Sequence, residues 1–182
     1  MQNVKQPTEQ PLMNPPEVVF EGLRFYVERV WQGQRARDVM RHPGAAVILP
    51  LVDDKTVCLI RNYRIAVDKT LLELPAGTLE RGEPPEKTAF RELEEETGYR
   101  AGKLELLSTY HPSPGVMDET MYVYLATELE MFQPAREDGE EIENHLVSLT
   151  EAREMIRDGR IADGKTIAGL LYYFQFYRGP EA

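Results

Sequence analysis

Cysteine is nearly absent from this chain of 182 residues: Cys58 stands alone, which excludes an intrachain disulfide and any multi-cysteine metal site. Long apolar runs are missing as well. The longest, Gly44 to Val52, is interrupted by Pro50 and is far shorter than the roughly 20 residues a membrane helix needs. Basic residues are outnumbered, 21 Lys plus Arg against 31 Asp plus Glu, and the formal net charge of −10 has the wrong sign for a non-specific grip on nucleic acid or anionic lipid. The N-terminal stretch MQNVKQPTEQPLMNPP lacks an apolar core and a small-residue cleavage site. It does not read as a secretory signal, so a cytoplasmic protein is expected. His42, His111 and His145 lack the spacing of a zinc site, and Ser108, Ser113 and Ser148 lack a G-x-S-x-G setting.

Patterning along the chain predicts three regions: a flexible arm over residues 1–16, a β-hairpin over 17–43 and an α/β domain over 44–182. Prolines at 7, 11, 15 and 16 deny the arm any periodicity. Alternating apolar positions predict strands at Val18–Trp31 and Ala36–Met40 around the turn Gln32-Gly33-Gln34, then at Ala45–Val52 and Thr56–Asn62 around Asp53-Asp54-Lys55. Leu71–Leu74 is a short run stopped by Pro75-Ala76-Gly77. Helix formers from Glu86 to Thr97, after Pro84-Pro85 and before Gly98, predict a capped helix. Strands are expected at Leu104–Tyr110, Met121–Leu129 and Glu143–Leu149. Thr150 is expected to cap a helix to Asp158, and a last helix covers Thr166–Tyr177. Strands before, between and after helices predict helices packed on a mixed sheet.

The acids are clustered where they matter. Glu92, Glu95 and Glu96 are spaced i, i+3, i+4, which puts three carboxylates on one helical face. A solvated surface face relieved by Arg91 is the plain alternative. However, Gly77, Glu83, Arg91, Glu92, Leu93, Glu95, Glu96, Gly98 and Tyr99 together resemble the Nudix hydrolase signature G-x5-E-x7-R-E-U-x-E-E-x-G-U. Hard carboxylate oxygens in close array suit Mg²⁺, with Mn²⁺ as the other candidate. The resemblance implies an α/β/α sandwich with a mixed sheet. It further implies Glu92 and Glu96 as principal metal ligands, Glu95 assisting, the Ala76 carbonyl as a backbone ligand, and Arg91 and Glu83 as braces.

Pro114, fifteen positions beyond Tyr99, is similar to the marker of the ADP-ribose pyrophosphatase subfamily. So are His42-Pro43-Gly44-Ala45-Ala46-Val47, Arg61-Asn62-Tyr63-Arg64 and Glu73-Leu74-Pro75-Ala76-Gly77. This likeness implies hydrolysis of ADP-ribose to AMP and ribose 5-phosphate, with another nucleotide-sugar or dinucleotide such as GDP-mannose or NADH as the alternative, and a non-catalytic nucleotide sensor as the rival class. It implies a homodimer with an exchanged N-terminal hairpin. Phe25, Tyr26 and Trp31 are then candidates for stacking on adenine, with core packing as the other reading of Phe25 and Tyr26. Arg37, Arg41 and Arg64 are candidates for base or phosphates, and Glu73, Ser113, Gly115 and Glu119 complete the substrate set. In the acidic loop from Arg136 to Glu141, Glu140 matches a further metal and catalytic position. Asp138 matches the general base, with Glu137, Glu140 and Glu141 as alternatives.

Gly159 to Thr166 satisfies the phosphate-loop pattern G-x4-G-K-[ST]. The segment before it reads as a helix, where that motif requires a strand. Asp163 to Thr166 is therefore expected to cap the final helix.

Overall fold

Strand β4 (Ala45–Asp53) organises the larger of two units, because apolar residues face both ways along it: Ala45 to Leu51 are all buried. A strand buried on both faces must lie inside a sheet covered by helices on each side. The computed structural model describes residues 14–132 and 142–177. In it, β4 pairs antiparallel with β5 (Thr56–Arg64) and parallel with β9 (Met121–Met131). The sheet runs β10 (Glu143–Ser148), β5, β4, β9, β8 (Tyr99–Tyr110), with β6 (Lys69–Glu73) on β5 and β7 (Ala76–Thr78) on β4.

The period of two sorts the core into two layers. Val47, Leu49, Leu59, Val123 and Leu125 pack with Met155 of α2 (Leu149–Arg157) and Leu170 of α3 (Gly164–Tyr172). Ala46, Ile48, Cys58, Tyr124 and Ala126 pack with Ala89 and Leu93 of α1 (Pro85–Thr97). This is the expected α/β/α sandwich with a mixed sheet.

Local chemistry accounts for the helix ends. Pro85 opens α1 and Gly98 closes it in the left-handed region at φ 76°, its N–H donating to the Glu94 carbonyl. Asp163 caps α3 by accepting the Thr166 N–H, as expected. A π-helical turn, Tyr173–Tyr177, follows α3. For α2 the cap is Ser148, which accepts the Glu151 N–H, and the expected cap Thr150 lies within the first turn.

The smaller unit spans residues up to His42 together with Ser113–Glu119. Here the expected hairpin is a three-stranded antiparallel sheet: β1 (Glu17–Glu21), β2 (Tyr26–Gln32) and β3 (Arg35–Arg41). What reads as one strand from Val18 to Trp31 is broken at Gly22, whose N–H turns back to the Phe25 carbonyl. The Pro114 segment belongs to this unit, since Met40 N–H donates to the Val116 carbonyl and Asp118 N–H to the Met40 carbonyl.

Candidate active site

Helix α1 carries three acids across the edge of its buried face. Ala89 and Leu93 anchor it in the core, and Glu96, one turn beyond Leu93, is buried with them. A buried carboxylate requires partners, and Ala76 N–H donates to Glu96 Oε2 at 2.8 Å. The neighbouring position is fitted to Glu92: a Cβ on Gly77 would stand 1.8 to 2.3 Å from the Glu92 carboxylate carbon and oxygens. Only glycine leaves that room. The strand entering the signature and the helix ending it are thus joined at two adjacent residues.

Arg91 balances the charge. Its Nη1 lies 2.5 Å from Glu92 Oε1 and 3.0 Å from Glu95 Oε2, while its Nη2 meets Glu83 Oε2 at 3.3 Å. Burial works against the guanidinium's charge, yet these three acids hold it well above its ordinary pKa. Burial likewise disfavours ionised Glu83, but bonds from Thr88 Oγ1, Glu80 N–H and Arg91 hold its pKa below the usual value. Both residues brace the turn and helix.

With Glu92 and Glu95 turned to Arg91 and Glu96 to the backbone, no three acidic or histidine side chains among the described residues converge on one point. The donor chemistry nevertheless fits a hard divalent cation: three carboxylates within one helical turn, only two of them paired with the Arg91 guanidinium. Asp138 and Glu140, with Glu137 and Glu141, lie outside the described residues.

Arg64, at the end of β5, grips Glu73 with a two-pronged contact, Nε to Oε1 at 2.9 Å and Nη2 to Oε2 at 2.5 Å. The Glu73 side chain is only 1% exposed. Both of its oxygens serve cations, so it faces Arg64 and Lys165 rather than solvent.

In the smaller unit, Phe25 lies against Phe20, ring centroids 6.0 Å apart, and Tyr26 is exposed. Trp31 is half-buried on β2 opposite Ala36. Arg37 is exposed, and its Nη1 donates to the neighbouring Ala36 carbonyl. Arg41 pairs with Glu28 and Asp118, and His42 Nδ1 sits 3.2 Å from Glu119. The Ser113 carbonyl accepts from Val116 and Met117 N–H, and Gly115 is exposed with open space around it. Asp118 was not among the expected site residues. It ties β3 to the Pro114 segment through Arg41 and His42 N–H, and its place directly before Glu119 was the only signal.

A NUDIX domain model matches residues 40–170. The chain belongs to the Nudix family. It is 38% identical over 163 residues to the ADP-ribose pyrophosphatase of Bacillus subtilis (strain 168), covering 86% of this chain and 88% of that one. It is 37% identical over 145 residues to the GDP-mannose pyrophosphatase of Escherichia coli O1:K1 / APEC, covering 74% of each. A crystal structure of an ADP compounds hydrolase superposes with a TM-score of 0.80 at 23% identity, over 97% of this chain and 98% of that one, a likeness of fold.

Within this Nudix chain the signature's last position is Tyr99, where the pattern has a bulky apolar residue. Its ring is buried against the α1 layer of the core, so it fills the apolar role. The phosphate-loop match at Gly159–Thr166 follows helix α2 rather than a strand. Its Thr166 hydroxyl is consumed internally, accepting from Leu74 N–H at 2.8 Å and donating to Asp163 at 2.6 Å. Lys165 is a residue that sequence reasoning missed: its ammonium lies 2.5 Å from buried Glu73, a contact ninety-two positions apart in sequence.

Proposed function

We propose that this Nudix hydrolase splits the diphosphate of ADP-ribose with Mg²⁺, giving AMP and ribose 5-phosphate. The observation that carries the reading is the seating of Glu92 on the Cβ-free face of Gly77, beside Glu96 held by Ala76 N–H. That arrangement fixes two of the signature carboxylates against the backbone that enters the helix. The likeness to the Bacillus subtilis ADP-ribose pyrophosphatase over most of both chains supports the substrate.

In this reading Glu92 and Glu96 would hold the metal, with Glu95, the Ala76 carbonyl and Glu140 completing the set. Bound divalent ions supply neutralisation of the phosphate oxygens and a lowered pKa for coordinated water. The chain's own residues do the rest. Arg91 and Glu83 brace the acidic face through their contacts with each other and with Glu92, Glu95 and Thr88. Arg64 offers its remaining N–H groups to the diphosphate, a fork that suits phosphate oxygens. A carboxylate of the acidic loop, Asp138 or one of Glu137, Glu140 and Glu141, takes the proton from the attacking water. Phe25 and Trp31 serve adenine by stacking, Arg37 and Arg41 the base or phosphates, and Ser113, Gly115 and Glu119 the remainder of the substrate. Glu73 acts through Arg64. The working assembly is a homodimer in the cytoplasm, formed through the N-terminal strands.

The likeness to a GDP-mannose pyrophosphatase favours a second substrate class, the GDP-sugars. Incubation with Mg²⁺ or Mn²⁺ and ADP-ribose, GDP-mannose or NADH, with chromatography of products, separates the two. AMP released fastest from ADP-ribose, and slowed by about 10²-fold or more in Glu96→Gln, is expected. Faster release of GMP from GDP-mannose would replace the substrate and keep the chemistry. No turnover of any compound would leave a binding module.

A further inference from the structure

The lysine of the false phosphate-loop motif is not a surface charge. Lys165 is 11% exposed, and its Nζ lies 2.5 Å from Glu73 Oε2 and 3.0 Å from Asp163 Oδ2. The same Glu73 oxygen accepts from Arg64 Nη2, so one buried carboxylate serves two cations. With Asp163 included, the four charges sum to zero, the condition under which a buried ionic cluster is tolerated. Burial disfavours ionised Glu73, but the hydrogen bond from Arg64 and the charge of Lys165 hold its pKa below the ordinary value.

Arg64 differs from its partners in keeping 40% of its side chain exposed. The Glu73 hydrogen bond, and then the nearby charges of Glu73, Glu96 and Asp163, hold it firmly protonated. Glu96 is the acid tied to Ala76, so Arg64 lies within the field of one of the signature carboxylates. A guanidinium has five N–H groups and Glu73 takes two of them. Without Lys165, the inner oxygen of Glu73 would depend on Arg64 alone. The guanidinium would then be drawn inward, towards a buried charge it had previously shared.

We propose that Lys165 is a positioning residue for the substrate: by engaging the inner oxygen of Glu73 it keeps the Arg64 fork outward, where its unused N–H groups meet a diphosphate. The inference rests on the reading of the chain as a hydrolase of nucleoside diphosphate compounds. It gives Lys165 no contact with the ligand.

The test combines steady-state kinetics on the compound the wild type turns over fastest with calorimetric titration of a non-hydrolysable α,β-methylene ADP-ribose. Lys165→Met is expected to raise KM and the Kd of the analogue about tenfold with kcat within about twofold, and Lys165→Arg to restore both. In an Arg64→Ala background the same change should add nothing, since one pathway is already cut. Additive losses would mean that Lys165 meets the ligand directly, and a lowered Tm with unchanged KM would reduce it to a structural ion pair; either overturns the proposal. Should Lys165→Met fail to fold, Lys165→Gln, which keeps a donor for Glu73 but not the charge, is expected to raise KM in the same direction, and wild-type KM there would overturn the proposal. Failure of the ADP-ribose reading is distinguishable, because it is seen in the wild type as absent AMP release, whereas failure of this inference is seen in the variants relative to the wild type.

Discussion

Gly77 illustrates how much a single absent carbon can control. The nearest atoms to an added Cβ belong to the tip of the Glu92 side chain, which can swing away, rather than to backbone. Gly77→Ala should therefore cost little stability but displace a proposed metal ligand. The expected result is a loss of turnover of about 10²-fold or more with a Tm within a few degrees of wild type, read by kinetics and thermal denaturation. Glu73 and Glu83 make a different prediction. Both have pKa values held below the ordinary glutamate value of 4.5, so the folded state binds fewer protons than the unfolded chain in acid. Their contribution is fully present above 4.5 and is lost as the pH falls through the depressed folded values. Denaturant midpoints should be level near neutrality and drop in acid, with a shallower acid slope in Glu73→Gln. The same slope in both proteins would remove Glu73 from the account. Cys58 belongs at this scale too: burial raises its thiol pKa to about 12, which leaves it inert.

Among the elements, the helices were the most legible. Proline at the start, glycine at the end and the three-to-four spacing of Ala89, Leu93 and Glu96 are local signals, and α1 lies within one residue of its expected span. The cap of α2 was misread because Ser148 and Thr150 both suit the role, and only the pairing of β10 with β5 decides where the strand stops. Ser148→Ala should lower stability by about 1 kcal/mol, a Tm decrease of about 2–4 °C for a chain of this size, whereas Thr150→Ala should change it less. Calorimetry on the two variants checks the assignment. Strands were harder. The three-residue β7 was read as a stop because Pro75 and Gly77 are turn residues, and it exists through pairing with Ala45, Ala46 and Val47. Strand β8 begins at Tyr99 rather than Leu104, since Arg100 and Ala101 find partners on β9 that no local pattern reveals.

For the whole molecule, the charge balance and the unit structure bear on assembly. Strand β1 and the turn after it leave Val18, Phe20 and Leu23 exposed, and grouped apolar surface of this kind marks an interaction site. A homodimer that covers them is expected by sedimentation at micromolar concentration. Deleting residues 17–41 should give a monomer with reduced activity, and a wild-type monomer would remove the dimer from the proposal. No helix among the described residues is long and apolar enough to cross a membrane.

The sequence by itself determined the acidic face of α1 and a mixed sheet with packed helices, because each depends on spacing within a few helical turns or on alternation along a strand, and the resemblance carried by its signature implied the family and the α/β/α layering. It also named Arg64 and Glu73, yet not what they do to each other. Only the tertiary structure decided that Gly77 is a seat for Glu92, that Glu73 is buried between Arg64 and Lys165, and that the Pro114 segment folds with the N-terminal strands. These contacts join residues on different elements, nine to ninety-two positions apart for those of Glu73, and their energies come from burial and paired charge. Neither exists until the sheet has formed.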